Sequence, residues 1–176
     1  MFHQSNSQSD CYRQLQHTCQ VGEAVSNYMT NADFIGYGHV YVNVISGSLR
    51  STILTTDPLL GATVLRFGSE IYIFKFPAYT TYEWHIDAVN SCSMNCVLDS
   101  YDSVTLWQNE QDDTISEIHR VTALRYEPNQ WYLFNSQRMH SVINYGDRDR
   151  YLLIAGIDKN YSFEEVSKWY DMRFQK

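Results

Sequence analysis

Between residues 38 and 157 the chain runs as short segments in which apolar and polar positions alternate, broken by turn residues. A period of two marks a strand, because successive side chains point to opposite faces. The candidate strands are HVYVNVI (39–45), LRSTIL (49–54), ATVLRF (62–67), IYIFKF (71–76), YEWHIDA (82–88) and CSMNCVL (92–98). The pattern continues through SVTLWQ (103–108), ISEIHRVTAL (115–124), WYLFN (131–135), HSVINY (140–145) and RYLLIAGI (150–157). Spacings of about 8 to 12 residues, with turns such as SGS, EPNQ and NYGD, predict an all-β sandwich or closed double sheet.

The flanks read differently. CYRQLQHTCQVGEAVSNYMT (11–30) predicts an N-terminal helix, with Leu15, Cys19 and Val25 near one side and Gly22 interrupting it. From Ser162 the run SFEEVSKWYDMRF predicts a C-terminal helix, opened by a Ser cap with Glu165 three residues on and carrying the apolar stripe Phe163, Val166, Trp169 and Tyr170. Residues 1–10, rich in Ser, Gln and Asn, predict a flexible tail. With no internal repeat or linker, the chain reads as one domain over residues 1–176, its core at about 38–157.

Composition narrows the possibilities. At 176 residues and 44% hydrophobic, the chain can bury a core without disulfides or structural metals. The 15% aromatic content, with 14 Tyr, suits a β-rich protein. A formal charge of −7 argues against a nucleic-acid or anionic-membrane partner. The opening MFHQSNSQSD has no basic segment followed by an apolar one, and no apolar run approaches a membrane span, so a cytoplasmic protein is expected. The four cysteines, Cys11, Cys19, Cys92 and Cys96, form no CxxC pair and read as reduced, structural thiols.

The chemistry-bearing feature is TTYEWHIDAVN (80–90), where His85 and Asp87 stand two positions apart and share one face of a strand. Such a pair alone reads as a hydrogen-bonded surface contact; it gains meaning only with partners. A redox iron that binds a co-substrate and dioxygen needs three protein donors and open positions, which two His and one carboxylate provide. His140 opens a β-branched run after a turn and is the candidate third ligand. Ten residues later Arg150 opens the next apolar run, and a hairpin through NYGDRD would return its guanidinium beside the metal. A buried Arg is costly unless it faces an anion, which a dicarboxylic co-substrate supplies with bidentate pairing. Arg148 is the alternative anchor if the register differs by two.

The order HxD, then HSVxN some 50 residues on, then an Arg ten residues after that His, resembles the 2-oxoglutarate- and Fe(II)-dependent oxygenases. FKFPAYTTYEWHIDA and YEPNQWYLFNSQRMHSVINYGDRDRYLLIAG are similar to the branch holding aspartyl/asparaginyl β-hydroxylases and proline hydroxylases, over roughly residues 62–157. The resemblance implies a double-stranded β-helix (jelly roll, cupin-like) with a helix at each end packed outside. It implies His85, Asp87 and His140 as iron ligands and Arg150 as the partner of the distal carboxylate of 2-oxoglutarate. The implied reaction consumes O2, hydroxylates an unactivated C–H of an amino-acid-like small molecule or a peptide side chain, and releases succinate and CO2.

Related hydroxylases often carry a basic residue shortly after HxD, whereas AVNSCSMNC offers Asn90 and Asn95. Asn95, Tyr72 and Lys75 are therefore candidates for the second co-substrate anchor. Trp84, Asn90, Arg66 and Trp107, together with Tyr82, are candidates for the substrate side, with core or solvated-edge roles as the plainer alternatives. His3, His17, His39 and His119 read as structural or exposed. Two other readings stay open: a cupin-type metal protein that does not use 2-oxoglutarate, and a jelly roll that binds a ligand without turnover.

Overall fold

The computed structural model describes residues 10–98, 102–108 and 121–175. In chain order the elements are β1 (Tyr12–Thr18), α1 (Gly22–Met29), β2 (Ile35–Tyr37), β3 (Val40–Val44), α2 (Gly47–Thr56), α3 (Pro58–Phe67), β4 (Ile71–Phe76) and β5 (Thr80–His85). There follow β6 (Asn90–Val97), β7 (Ser103–Gln108), β8 (Val121–Leu124), β9 (Gln130–Asn135), β10 (His140–Asn144), β11 (Arg150–Asp158) and α4 (Phe163–Phe174). The strands form an antiparallel sheet of order β1-β9-β6-β11-β4-β3-β2 and a smaller one of order β5-β10-β7-β8.

Two cores result. One lies between the sheets and is built on Val40, Phe76, Val97, Trp107, Tyr126, Phe134, Val142 and Leu152. The other lies between the large sheet and the helices, with Ile53, Leu60, Ile73, Met94, Leu133, Leu153, Ala155 and Val166. Strand β11 contributes to both, Leu152 and Ile154 to the inner core and Leu153, Ala155 and Ile157 to the outer one. A strand covered on both faces reads as an unbroken apolar run, which is the texture of RYLLIAGI.

Most predicted strands match, but three segments differ. LRSTIL and ATVLRF are not strands; they lie in α2 and α3. The helical signals are local: Asp57 caps α3, its Oδ1 accepting from the Leu60 N–H at 2.9 Å, Pro58 occupies the first turn, and Gly68 ends it at φ 66°. Leu59, Thr63 and Phe67 recur every four residues on the buried side, a period that six-residue windows hide. The N-terminal segment is the third. Only Gly22–Met29 is helical, while Tyr12–Thr18 is an edge strand in register with β9, Tyr12 opposite Phe134. The core thus begins well before residue 38. The tail, residues 1–9, and the start of ISEIHRVTAL lie outside the described residues.

The C-terminal helix forms as expected. Ser162 and Glu165 exchange the two hydrogen bonds of a capping box, at 3.2 and 2.7 Å. Arg13 of β1 ties α4 down through Asp171 and Ser167. None of the four cysteines is in a disulfide, and burial pushes the Cys92 thiol up to about 12, which suits a structural group. No helix among the described residues is long and apolar enough to cross a membrane.

The connection from β10 to β11 is not a hairpin within one sheet, because the strands belong to different sheets. Residues 145–149 instead carry the chain across the barrel, and the buried Asn144 side chain fastens this crossing. Its Nδ2 donates to the carbonyls of Phe76, Pro77 and Arg148 at 3.1, 2.9 and 2.8 Å. Asn144 therefore holds the β4–β5 turn and the approach to Arg150 together. Replacing it by Ala strands these buried acceptors and is expected to cost about 2–3 kcal/mol. The melting temperature should then fall by roughly 4–12 °C, which calorimetry checks.

Candidate metal centre

Strands β5 and β10 pair antiparallel, with His85 directly opposite His140. Two residues along β10, Val142 faces Tyr82, three residues back along β5. This one-residue excess on β5 is a bulge, and it lets Glu83 and Trp84 both face solvent while Tyr82 and His85 turn inward together. The His85 ring lies 4.2 Å from the Tyr82 ring and 4.2 Å from the His140 ring, centroid to centroid. Asp87 follows just past the end of β5, its N–H donating to the Ser136 carbonyl at 3.1 Å and its carbonyl accepting from the Gln137 amide at 3.1 Å.

His85, Asp87 and His140 place one donor atom each within 4.8 Å of one another. Asp87 Oδ1 lies 3.5 Å from His85 Nε2 and 3.9 Å from His140 Nε2. Each ring is oriented by its own strand: His85 Nδ1 is 2.6 Å from the Glu83 carbonyl and His140 Nδ1 is 2.9 Å from the Arg138 carbonyl. A carbonyl can only accept, so each Nδ1 carries a hydrogen and each Nε2 is the atom left facing the common centre.

Electrostatics suits a cation. Burial pulls His140 down to about 4, so the ring is neutral at pH 7. Burial also opposes charging of His85, but its hydrogen bonds to Asp87 and the Glu83 carbonyl outweigh it and the net shift is upward. Burial works against Asp87 as an anion too, yet the His85 hydrogen bond and the neighbouring imidazoles hold its carboxyl below the usual range. The site thus offers a carboxylate and two Nε2 donors, and a divalent ion would displace any proton on His85. His140 is nearly buried while His85 and Asp87 are partly open, so the centre has a solvent side.

Arg150, at the start of β11, is fully buried on the inner face. Its guanidinium lies over the rings of Phe76 at 5.3 Å and Tyr126 at 5.0 Å. Phe76 is 6.5 Å from Tyr82, which in turn borders His85. Around Tyr126 sits a polar patch: its hydroxyl, Asn95 Oδ1 and Thr105 Oγ1 are buried close together, and none makes a hydrogen bond of normal geometry among the described residues. Burial raises the Tyr126 phenol, while Arg150, Asn95 and Thr105 bear on it in the opposite sense. Arg148, the alternative anchor, is exposed.

The remaining candidates divide. Asn95 shares the inner face with Val97, beside the Arg150 patch. Tyr72 is on the inner face too, but four residues from Phe76 along β4, next to Phe74. Lys75 is not at the site; it points outward, its Nζ 2.8 Å from Asp149 Oδ2, because strand alternation sets it opposite Phe76. Arg66 is also misplaced, being on α3 with its guanidinium over Phe67 and Tyr161 on the helical side. Trp84 is 47% exposed through the bulge and makes no ring contact with the triad among the described residues. Asn90 lies over Gly156, where an added Cβ would come within 2.8 Å of its amide. Trp107 is fully buried, its ring 6.5 Å from that of His140. His17 is structural, its Nδ1 2.9 Å from the Tyr170 hydroxyl, and His39 is exposed; His3 and His119 lie outside the described residues. Sequence reasoning missed Tyr126 and Thr105, and the only signal for Tyr126 was its place just before the EPNQ turn.

In metal-free protein, ring-nitrogen chemical shifts followed from pH 3 to 8 should show His140 titrating near 4 and His85 above its ordinary value. A His140 midpoint near the ordinary ~6.5 contradicts its burial.

The sequence matches no protein-family model and no curated protein. Solved structures do match. A prolyl-4-hydroxylase of Pseudomonas putida superposes with a TM-score of 0.59 at 14% identity, over 84% of this chain and 91% of that one. An oxidoreductase of the 2OG-Fe(II) oxygenase family from Burkholderia pseudomallei gives 0.60 at 14% identity, over 84% of each chain. HygX from Streptomyces hygroscopicus, with nickel and 2-oxoglutarate bound, gives 0.61 at 10% identity, over 86% of this chain and 84% of that one. The two-sheet barrel described above is therefore the double-stranded β-helix that these oxygenase structures share.

Proposed function

We propose that this chain is an Fe(II)- and 2-oxoglutarate-dependent oxygenase, a single domain that hydroxylates a C–H of a small molecule or peptide side chain. The carrying observation is that one barrel interior holds both a convergent His85–Asp87–His140 donor set with a solvent side and a fully buried guanidinium, Arg150. Three protein donors on one side leave an iron ion positions for a chelating 2-oxo acid and for dioxygen. Bound there, the iron and its co-substrate would supply the oxidising power, with succinate and CO2 released. The likeness to structures that hold 2-oxoglutarate supports this reading.

The chain's own residues then have separable tasks. His85, Asp87 and His140 hold the metal. Arg150 receives the distal carboxylate of the co-substrate, where burial strengthens a charge-assisted pair. The second anchor shifts from the outward Lys75 to the Tyr126 hydroxyl and Thr105, with Asn95 retained, because these buried polar atoms make no hydrogen bond of normal geometry among the described residues. Tyr72 stands beyond that patch on the same wall. A metal protein that does without 2-oxoglutarate leaves this patch unexplained.

Anaerobic addition of Fe(II) and then 2-oxoglutarate should produce the weak visible charge-transfer band of the chelate, and admission of air should release succinate. The band should be lost in His85→Ala. Arg150→Ala is expected to weaken 2-oxoglutarate binding at least about thirtyfold, and Tyr126→Phe roughly two- to tenfold. Lys75→Ala should leave it unchanged. A wild-type protein that binds Fe(II) but shows no band removes 2-oxoglutarate from the proposal.

A further inference from the structure

We infer that the substrate side of this centre takes an uncharged aromatic ring rather than a free amino acid, an inference that rests on the oxygenase reading. The histidine pair is set between rings. Tyr82 lies beside His85 at 4.2 Å. On the other flank Phe134 meets His140 edge-on at 4.9 Å, and Trp107 lies 6.5 Å from it. Tyr12 continues this wall, stacked on Trp107 at 5.4 Å with 24° between the planes. Trp107 and Phe134 are buried, whereas Tyr12 and Tyr82 are half-buried. Neither tyrosine hydroxyl is hydrogen-bonded within the protein among the described residues. Two half-buried tyrosine rings with neutral hydroxyls thus stand around the histidine pair, Tyr82 directly and Tyr12 through Trp107.

Charges near the triad point the same way. A free amino acid brings a carboxylate and an ammonium that must both be paired once desolvated. Arg138, next to His140 in sequence, reaches Asp10 at 3.1 Å. Lys75 faces outward to Asp149, and Arg150 serves the co-substrate end. On the acidic side Glu83 faces solvent and Asp87 is a metal ligand. No described cation is left to receive a substrate carboxylate at the centre, while an aromatic ring gains from offset or edge-on packing on Tyr12 and Tyr82.

2-Naphthol is a suitable probe, with Mn(II) and 2-oxoglutarate loaded into the full chain. Its ring protons should be relaxed by the bound Mn(II), whereas L-proline and L-asparagine at equal concentration should not be. Tyr82→Leu and Tyr12→Leu should each weaken 2-naphthol binding roughly two- to tenfold with Mn(II) affinity, read by electron paramagnetic resonance, retained. The Phe variants keep the ring and should stay within about twofold of wild type, so a folding defect is separable from a lost stack. Equal relaxation of the amino acids overturns the inference, as does 2-naphthol binding that Mn(II) does not relax or that the Leu variants leave unchanged. If wild-type protein fails to bind Mn(II), the oxygenase reading falls instead. Quenching of tryptophan fluorescence by 2-naphthol in metal-free wild type and Leu variants then still decides the ring site, and equal quenching overturns it.

Discussion

Between Val142 and His140 strand β10 advances two residues, while its partner β5 advances three, from Tyr82 to His85. Much of the centre depends on that mismatch. In a regular strand, three positions from Tyr82, alternation would send His85 to the opposite face and away from His140. With the bulge, the two histidines meet across the ladder and the chain leaves β5 at the angle that Asp87 needs. The backbone bond from Asp87 to Ser136 then fixes that exit against the β9–β10 turn. The metal donors come from one strand pair and one loop, so the pairing of two segments far apart in sequence sets their geometry.

The site was more legible in the sequence than the elements around it. His85, Asp87 and His140 were readable because few residue types bind a metal and their order along the chain is informative; the structure brings their donors together. Arg150 was chosen over Arg148 by its position at the head of an apolar run; Arg150 is fully buried and Arg148 exposed. The inferred strand period of YEWHIDA, however, was right for the wrong local reason: His85 faces inward through a bulge, which no alternation rule shows. Tyr126 and Thr105 were not readable as a site because one sits outside any period and the other looks like an ordinary strand threonine.

Elements were lost where two periods compete. In α2 and α3, adjacent β-branched residues, Thr52–Ile53 and Thr63–Val64, imitate a strand, while the Asp57–Pro58 start and Gly68 stop mark α3 as a helix. At the N-terminus Leu15 and Cys19 are four apart and imitate a helix face. Leu15 instead lies on an edge strand whose pairing to β9 is made by residues more than a hundred positions away. Local propensity carries no record of such a partner.

The bonds from each histidine Nδ1 to the carbonyl two residues earlier have a consequence for metal identity. Both rings are aimed by backbone that is already in place, so the donor set does not require the ion for its shape. An ion held by a preformed, solvent-facing set of two imidazoles and one carboxylate exchanges without unfolding the chain. Such donors follow the general affinity order of divalent metals and rank iron below nickel and copper. Which ion such a site holds is then set by supply in its surroundings, and the oxygenase proposed above would depend on how well ferrous iron is kept available against tighter competitors.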